Sequence, residues 1–459
     1  MTHEPPVSLW PDPAALGTVT DLYQLTMMAG YAAAGIDQAP ATFELFVRRL
    51  PADRSYLIFA GLEQAIDTLL NLAFSPKQVE GLRAWPVFAG IDPKWFDSLR
   101  NFRFTGDVWA MPEGSVVFAG EPLLRVSAPL AQAQLVETIL LSSLGYPTLV
   151  ASKAARIIEA AQGRAVVDFG ARRGHGPQSG LLNARASYIA GFSGTSHVEA
   201  ALRLGIPAVG TMAHSWVQAF DDEETAFRTY AKIYPSATTL LVDTYDTDEG
   251  VRRAARIEPP IQAVRIDSGD LVAASRSARV ILDSMNRPEV KILASNDLEE
   301  RKIAALLGAG AKIDAFGVGT ELITSRDAPA ISMVYKLVEL SGQGRIKRSA
   351  GKKTYPLAKQ VGRVRDDEGY FAYDYVSKVG EPGRGENLLD LVVRDGQIAR
   401  PFPKLDEIRD YCRIQRHSLP PALRDLDQGP PYRLEYSEAL EAEAARLGLE
   451  VTKGQGARS

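Results

Sequence analysis

The side chains best suited to chemistry stand just past short apolar runs: Arg172 and Arg173; Thr211 and His214; Asp243; Asp267, Ser268, Gly269 and Asp270; Ser295, Asn296 and Asp297; Gly317, Val318, Gly319 and Thr320. Runs such as Ala165–Phe169 read as buried parallel strands. In α/β barrels and open α/β sheets, the residues after the strand ends collect on one face. On that reading these groups form one site, and its chemistry suits an anionic ligand. Ala315 to Thr320 is a strand running into a Gly-x-Gly-Thr turn. Two glycines allow close backbone approach, and successive N–H groups can cradle a phosphate. Arg265 and Asp267 are two apart on one strand and so face the same way. Turned inward, such a pair is costly unless something uses it. Asp267 suits ribose hydroxyls or Mg²⁺, and Arg265 suits a carboxylate. His214 could act as acid, base or nucleophile, and its local spacing does not choose among them. A tight turn, an ion pair and a surface histidine are the structural alternatives.

These side chains need a scaffold, and the apolar rhythm supplies one. Strands are expected at Ala165–Phe169, Ala208–Thr211, Thr239–Asp243, Ala263–Asp267, Lys291–Ser295, Ala315–Val318 and Met333–Val338, mostly separated by helical patterns. Such alternation implies a parallel sheet with helices outside, here an α/β fold with an irregular TIM-like barrel. Ser196 with Glu199, Asp221 with Glu224, and Asp297 with Glu300 have capping-box spacing. The first third is α+β: a helix from Thr20 to Gly30 or Gly35, a strand over Ala41–Leu50, a helix over Tyr56–Leu70, and paired strands within Phe104–Ser127. Helices follow at Ala131–Leu144 and Ser152–Ala161. After Leu340 the pattern breaks into a basic loop, short strands and polar helix, with a frayed tail from Gly454 to Ser459. The expected division is 1–145 (N-terminal α+β), 146–340 (catalytic barrel) and 341–459 (C-terminal segment).

Composition narrows the function. The chain has 459 residues, enough for more than one domain, and is 46% hydrophobic and 24% charged. A net charge of −4 argues against a nucleic-acid binder. Cys412 is the single cysteine, which excludes an intrachain disulfide and a cysteine metal cluster. The start, Met1–Pro13, lacks an apolar signal core, and no uninterrupted apolar run is long enough for a bilayer. A cytoplasmic protein without a membrane partner is expected. No Walker loop or Gly-x-Ser-x-Gly elbow is present.

Six motifs occur in order: Thr20-Asp21-Leu22-Tyr23, Phe169-Gly170-Ala171-Arg172-Arg173, Gly194-Thr195-Ser196, Gly210-Thr211-Met212-Ala213-His214-Ser215, Arg265-Ile266-Asp267-Ser268-Gly269-Asp270 and Phe316-Gly317-Val318-Gly319-Thr320. Together they resemble the nicotinate phosphoribosyltransferases from about Thr20 to Gln360. The resemblance implies phosphoribosyl transfer from phosphoribosyl pyrophosphate (PRPP) to nicotinate, in NAD biosynthesis. It also implies Mg²⁺, and ATP hydrolysis coupled through a phosphohistidine at His214. By the same resemblance Tyr23 and Phe169 cover the pyridine ring, and Thr211 and Arg265 contact nicotinate. Arg172, Asp267, Gly317, Gly319 and Thr320 serve PRPP. The implied fold adds a split α+β domain, built from the N-terminal third and part of the C-terminal region, around the barrel. The implied assembly is a homodimer with active sites at the interface, the Tyr23 segment of one protomer reaching the barrel of the other.

Four other readings remain. A nicotinamide enzyme would place an aspartate near Gly194-Thr195-Ser196, where this chain has Ser196. A quinolinate enzyme would be shorter and need extra cations. A non-catalytic PRPP or nucleotide sensor, or a sugar-phosphate isomerase, would not require Tyr23, His214 and Arg265 together.

Overall fold

The computed structural model describes residues 9–347 and 354–449. The tail Gly454–Ser459 and the centre of the basic loop after Leu340 lie outside them. The fold is mixed α/β, and its chemistry rests on a parallel half-barrel sheet. That sheet has six strands, in the order Gly194–Thr195, Ala165–Asp168, Ala315–Val318, Lys291–Ala294, Ala263–Ile266, Thr239–Leu241. Each is short and apolar and is followed by a helix, so all the carboxyl ends lie along one edge. Ala208 extends the sheet by a single bridge to Thr195.

Three expectations about this sheet are corrected. Ala208–Thr211 is not a strand. Pro207 has no N–H to donate, and only Ala208 enters the ladder. Gly194–Thr195, which was not expected as a strand, takes the place beside Ala165–Asp168. Met333–Leu340 is not a barrel strand. It pairs antiparallel with Pro40–Val47, where Phe43 stacks on Tyr335 at 4.9 Å. Alternation of large apolar side chains suits either sheet, so periodicity alone could not assign it.

That second sheet has seven strands from distant parts of the chain: Gln343–Gly344, Met333–Leu340, Pro40–Val47, Pro122–Pro129, Asp107–Ala110, Asp390–Arg394 and Gln397–Ile398. Tyr56–Leu70 divides into a short strand, Leu57–Ile58, and the helix Leu62–Leu70.

A 24-residue helix, Glu137–Ala160, packs against both sheets, and sixteen of its residues are buried. The sequence suggested two helices, Ala131–Leu144 and Ser152–Ala161; Pro147, between them, interrupts the backbone bonding and costs about 3 kcal/mol in a helix interior. Burial outweighs that cost here. Gly61, at φ +98°, fits against the interrupted turn: a Cβ there would meet the Ser143 carbonyl oxygen at 2.5 Å. The stretch Leu130–Ala160 is long and apolar enough on average to cross a bilayer, though polar residues interrupt it, and 67% of its apolar window is buried inside the fold. It is a core element. The helix caps also shift from the expected positions: His197, Asp222 and Glu299 hold them, rather than Ser196, Asp221 and Asp297.

Candidate active site

Arg265 leaves its strand near the carboxyl edge with its side chain 11% exposed, and three bonds fix its guanidinium. Its Nε donates to Ser295 Oγ at 2.9 Å, Nη1 to Thr211 Oγ1 at 2.9 Å and Nη2 to Asp267 Oδ1 at 2.8 Å. The Ser295 hydroxyl also donates to Asp267. Asp267 is thereby paired by geometry, and its acidity follows. Burial pushes its carboxyl upward, but the bonds from Ser295 and Arg265 and the charge of Arg265 pull harder and leave it below the ordinary range. Arg265 and Asp267 face the same way, as the two-residue spacing requires, and they pair.

Asp243 underlies this group. Its Oδ2 accepts from the Asp267 N–H at 2.8 Å and the Ser268 hydroxyl at 2.6 Å. Its Oδ1 is buried without a partner. A lone buried carboxylate oxygen beside a second carboxylate is the kind of donor a hard cation takes. Among the described residues no cluster of three metal-ligating side chains occurs.

Phe169 forms the wall opposite. Its ring centroid lies 5.4 Å from the Arg265 guanidinium carbon. Gly317 makes room for it: a Cβ on Gly317 would meet the ring at 2.5 Å. This glycine therefore serves the aromatic wall, where the sequence suggested close approach to a phosphate. Gly319 lies against the Phe169 carbonyl, with 3.2 Å to an added Cβ. Thr320 opens the short helix Thr320–Ile323 just beyond. Arg172 and Arg173 form an exposed turn, Ala171–Arg173, after Phe169 and Gly170.

Asp168 is a residue the sequence reading passed over. It is fully buried, and its two oxygens accept from the Gly170 N–H and the Thr195 hydroxyl, both at 2.7 Å. It ties the turn carrying Phe169 to the neighbouring strand. Burial raises its pKa despite these bonds. The signal available was an acidic residue ending an otherwise apolar strand.

His214 begins the helix His214–Gln218, and its Nδ1 lies 3.1 Å from Thr244 Oγ1. With the Arg265–Thr211 bond, this contact spans the space between Ala208 and Thr239–Leu241, where the parallel ladder is interrupted. Side chains join there what backbone pairing does not.

Tyr23 stands apart from the cluster. It is 46% exposed, and its hydroxyl donates to Glu137 Oε2 at 3.1 Å. Partial burial, then Glu137, push the phenol up to about 12. Within one chain the structure thus gathers Phe169, Thr211, His214, Arg265, Asp267, Gly317 and Gly319, and leaves Tyr23 outside.

Known proteins resemble this arrangement over nearly the whole chain. Family models described as the nicotinate phosphoribosyltransferase N-terminal domain, family and C-terminal domain match residues 18–144, 164–379 and 370–442. The chain is 46% identical to nicotinate phosphoribosyltransferase pncB2 of Mycobacterium tuberculosis, over 93% of each chain. It is 37% identical to the nicotinate phosphoribosyltransferase of Bacillus subtilis, over 92% of this chain and 93% of the other. The crystal structure of human nicotinic acid phosphoribosyltransferase superposes with a TM-score of 0.83 at 29% identity, covering 94% of this chain and 99% of that one. By sequence along its length and by fold, the chain belongs to the nicotinate phosphoribosyltransferase family.

Proposed function

We propose that the protein transfers phosphoribosyl from PRPP to nicotinate, giving nicotinate mononucleotide and pyrophosphate for NAD biosynthesis. One observation carries this: a guanidinium fixed by three bonds lies over an aromatic ring at the carboxyl ends of the strands. Nicotinate is a flat anion, and such a site offers its ring a face and its carboxylate a fork. The cluster supplies one guanidinium, and Asp267 already shares it, which disfavours the dianion quinolinate.

In the reaction the pyridine nitrogen attacks C1 of PRPP. The C1–N bond forms as the C1–O bond breaks, and pyrophosphate leaves with the electron pair. The ring nitrogen has a free lone pair, so no strong base is required. Negative charge grows on the pyrophosphate, and Arg172 and the amides of the Gly317–Thr320 turn would stabilise it. Asp267 would bind the ribose hydroxyls. Asp243 and Asp267 would hold Mg²⁺, which supplies positive charge to the leaving group.

ATP coupling is the further step in this reading. The Nδ1 contact with Thr244 leaves His214 Nε2 as the nucleophile toward the γ-phosphate of ATP. The N–P bond forms as the bond to ADP breaks, and water later releases phosphate. Phosphorylation drives transfer only by changing affinity for PRPP or pyrophosphate. Tyr23, remote within one chain, would complete the site of a second protomer in a homodimer. The six-stranded parallel sheet, each strand followed by a helix, supports an irregular TIM-like barrel. The antiparallel sheet drawn from both ends of the chain supports a split α+β domain. A cytoplasmic enzyme fits this chemistry.

A chromatographic product assay with PRPP and Mg²⁺ tests the reading, comparing nicotinate, nicotinamide and quinolinate with and without ATP. Nicotinate mononucleotide formed from nicotinate alone, and more with ATP, is the expected result. Product from another base would change the substrate, and no product from any base would end the proposal.

A further inference from the structure

At the opposite end of the half-barrel, the helix Leu405–His417 crosses the ends of Glu137–Ala160 and Pro177–Ile189 and bounds a cavity of about 400 Å³. Arg409, Arg413 and Arg416 line it from one face of the helix, over Ile158 and Ala190. Arg409 is held in place: its Nη2 donates to the Gly191 carbonyl at 3.2 Å, and its guanidinium lies 4.5 Å over the Tyr188 ring. Arg416 is 5% exposed. Its Nη1 donates to the Ala155 carbonyl at 3.3 Å and Glu159 at 3.2 Å, while its Nε is buried without a partner. Arg413 makes a 3.4 Å contact with Asp410, both side chains being well exposed.

Three carboxylates face these cations, and they do not satisfy them. Asp406 accepts the Tyr188 hydroxyl at 2.7 Å, Glu159 takes one edge of Arg416, and Asp410 holds Arg413 only at long range. Each guanidinium carries five donors in a rigid fork. An unpaired buried donor costs about 1–3 kcal/mol, so the cavity has donors left over for an oxyanion. We propose that it is a second anion site, distinct from the strand-end cluster, which binds a phosphate-bearing small molecule through Arg409, Arg413 and Arg416. Phosphate suits it because its oxygens accept from several forks at once. The site also bears on the active edge. Gly191, bonded to Arg409, lies three residues before Gly194–Thr195, and Thr195 holds Asp168 beneath Phe169.

Hydrogen exchange read by mass spectrometry locates the ligand, with inorganic phosphate and ribose 5-phosphate as separate probes on the full chain. Either probe is expected to slow exchange over residues 189–195 and 405–417. Tighter binding of ribose 5-phosphate would identify a sugar-phosphate site, and equal binding a site for phosphate itself. In Arg413→Ala, an exposed substitution, about tenfold more probe should be needed for the same protection, with kcat/KM for nicotinate unchanged. Arg416→Met should abolish the protection if it folds. Protection confined to residues near 170–176 and 317–324, or protection of 405–417 untouched by Arg413→Ala, would overturn the proposal.

Discussion

Arg265 and Phe169 belong to strands that are not neighbours in the sheet, yet the guanidinium carbon stands 5.4 Å from the ring centroid. Gly317 lies on a strand between them, and its lack of a side chain makes room for the Phe169 ring. The placement of the Phe169 ring under Arg265 therefore depends on three strands at once.

Arg265→Ala is expected to lower kcat/KM for nicotinate by about 100-fold or more, the loss of a charge-assisted contact of about 3 kcal/mol. Arg265→Lys should rescue little, because a single ammonium cannot reproduce bonds to Ser295, Thr211 and Asp267 together. Steady-state kinetics at fixed PRPP measures both. A value near that of the native enzyme removes Arg265 from the site.

Gly317→Ala places a methyl 2.5 Å from the Phe169 ring. The expected cost is about 1–3 kcal/mol of stability, with the ring pushed toward the ligand. KM for nicotinate should rise more than in Phe169→Leu. Equal stability and equal KM would show that the ring moves freely.

His214→Ala is expected to keep slow transfer and lose the benefit of ATP. Comparing initial rates with and without ATP decides it. Undiminished ATP stimulation would rule out the phosphohistidine.

Asp327 gives a pH dependence far from the ligand. Burial alone would raise its carboxyl, but Arg54 and Lys153 pull it down to about 2. Because the folded pKa is depressed, its contribution is fully present above the unfolded value of about 3.9. It is lost as pH falls from there toward about 2. Native chain should lose about 2 kcal/mol over that window relative to Asp327→Asn, measured by denaturant unfolding. At neutral pH the variant should be less stable, with Arg54 and Lys153 left short of a partner. Parallel pH profiles for the two proteins would contradict the assignment.

Five of the six parallel strands were legible because each is a brief, mostly apolar run closed by polar residues or Gly; Gly194–Thr195 is too short and too polar to show. Ala315–Val318 appears with the expected bounds, and the polar residues after the strands do share an edge. Met333–Leu340 was misplaced because a half-buried antiparallel strand and a barrel strand use the same residue types. The helices expected at Ala131–Leu144 and Ser152–Ala161 are instead joined through Pro147 in Glu137–Ala160, where tertiary burial overrides the local penalty. Asp168 was missed because its role is to hold backbone. Such work is visible only when Gly170 and Thr195 are seen in place.

The seam between Ala208 and Thr239–Leu241 gives this sheet a mechanical property that a closed ring of strands lacks. Elsewhere along the edge, displacing one strand end breaks backbone ladders on both sides. At the seam, the segment carrying Thr211 and His214 is joined across by two side-chain hydrogen bonds, to Arg265 and Thr244. Compliance is concentrated in that sector. In the proposed cycle, a phosphoryl charge on His214 would act on Thr211 and Arg265 through this compliant sector while the other strands hold their register.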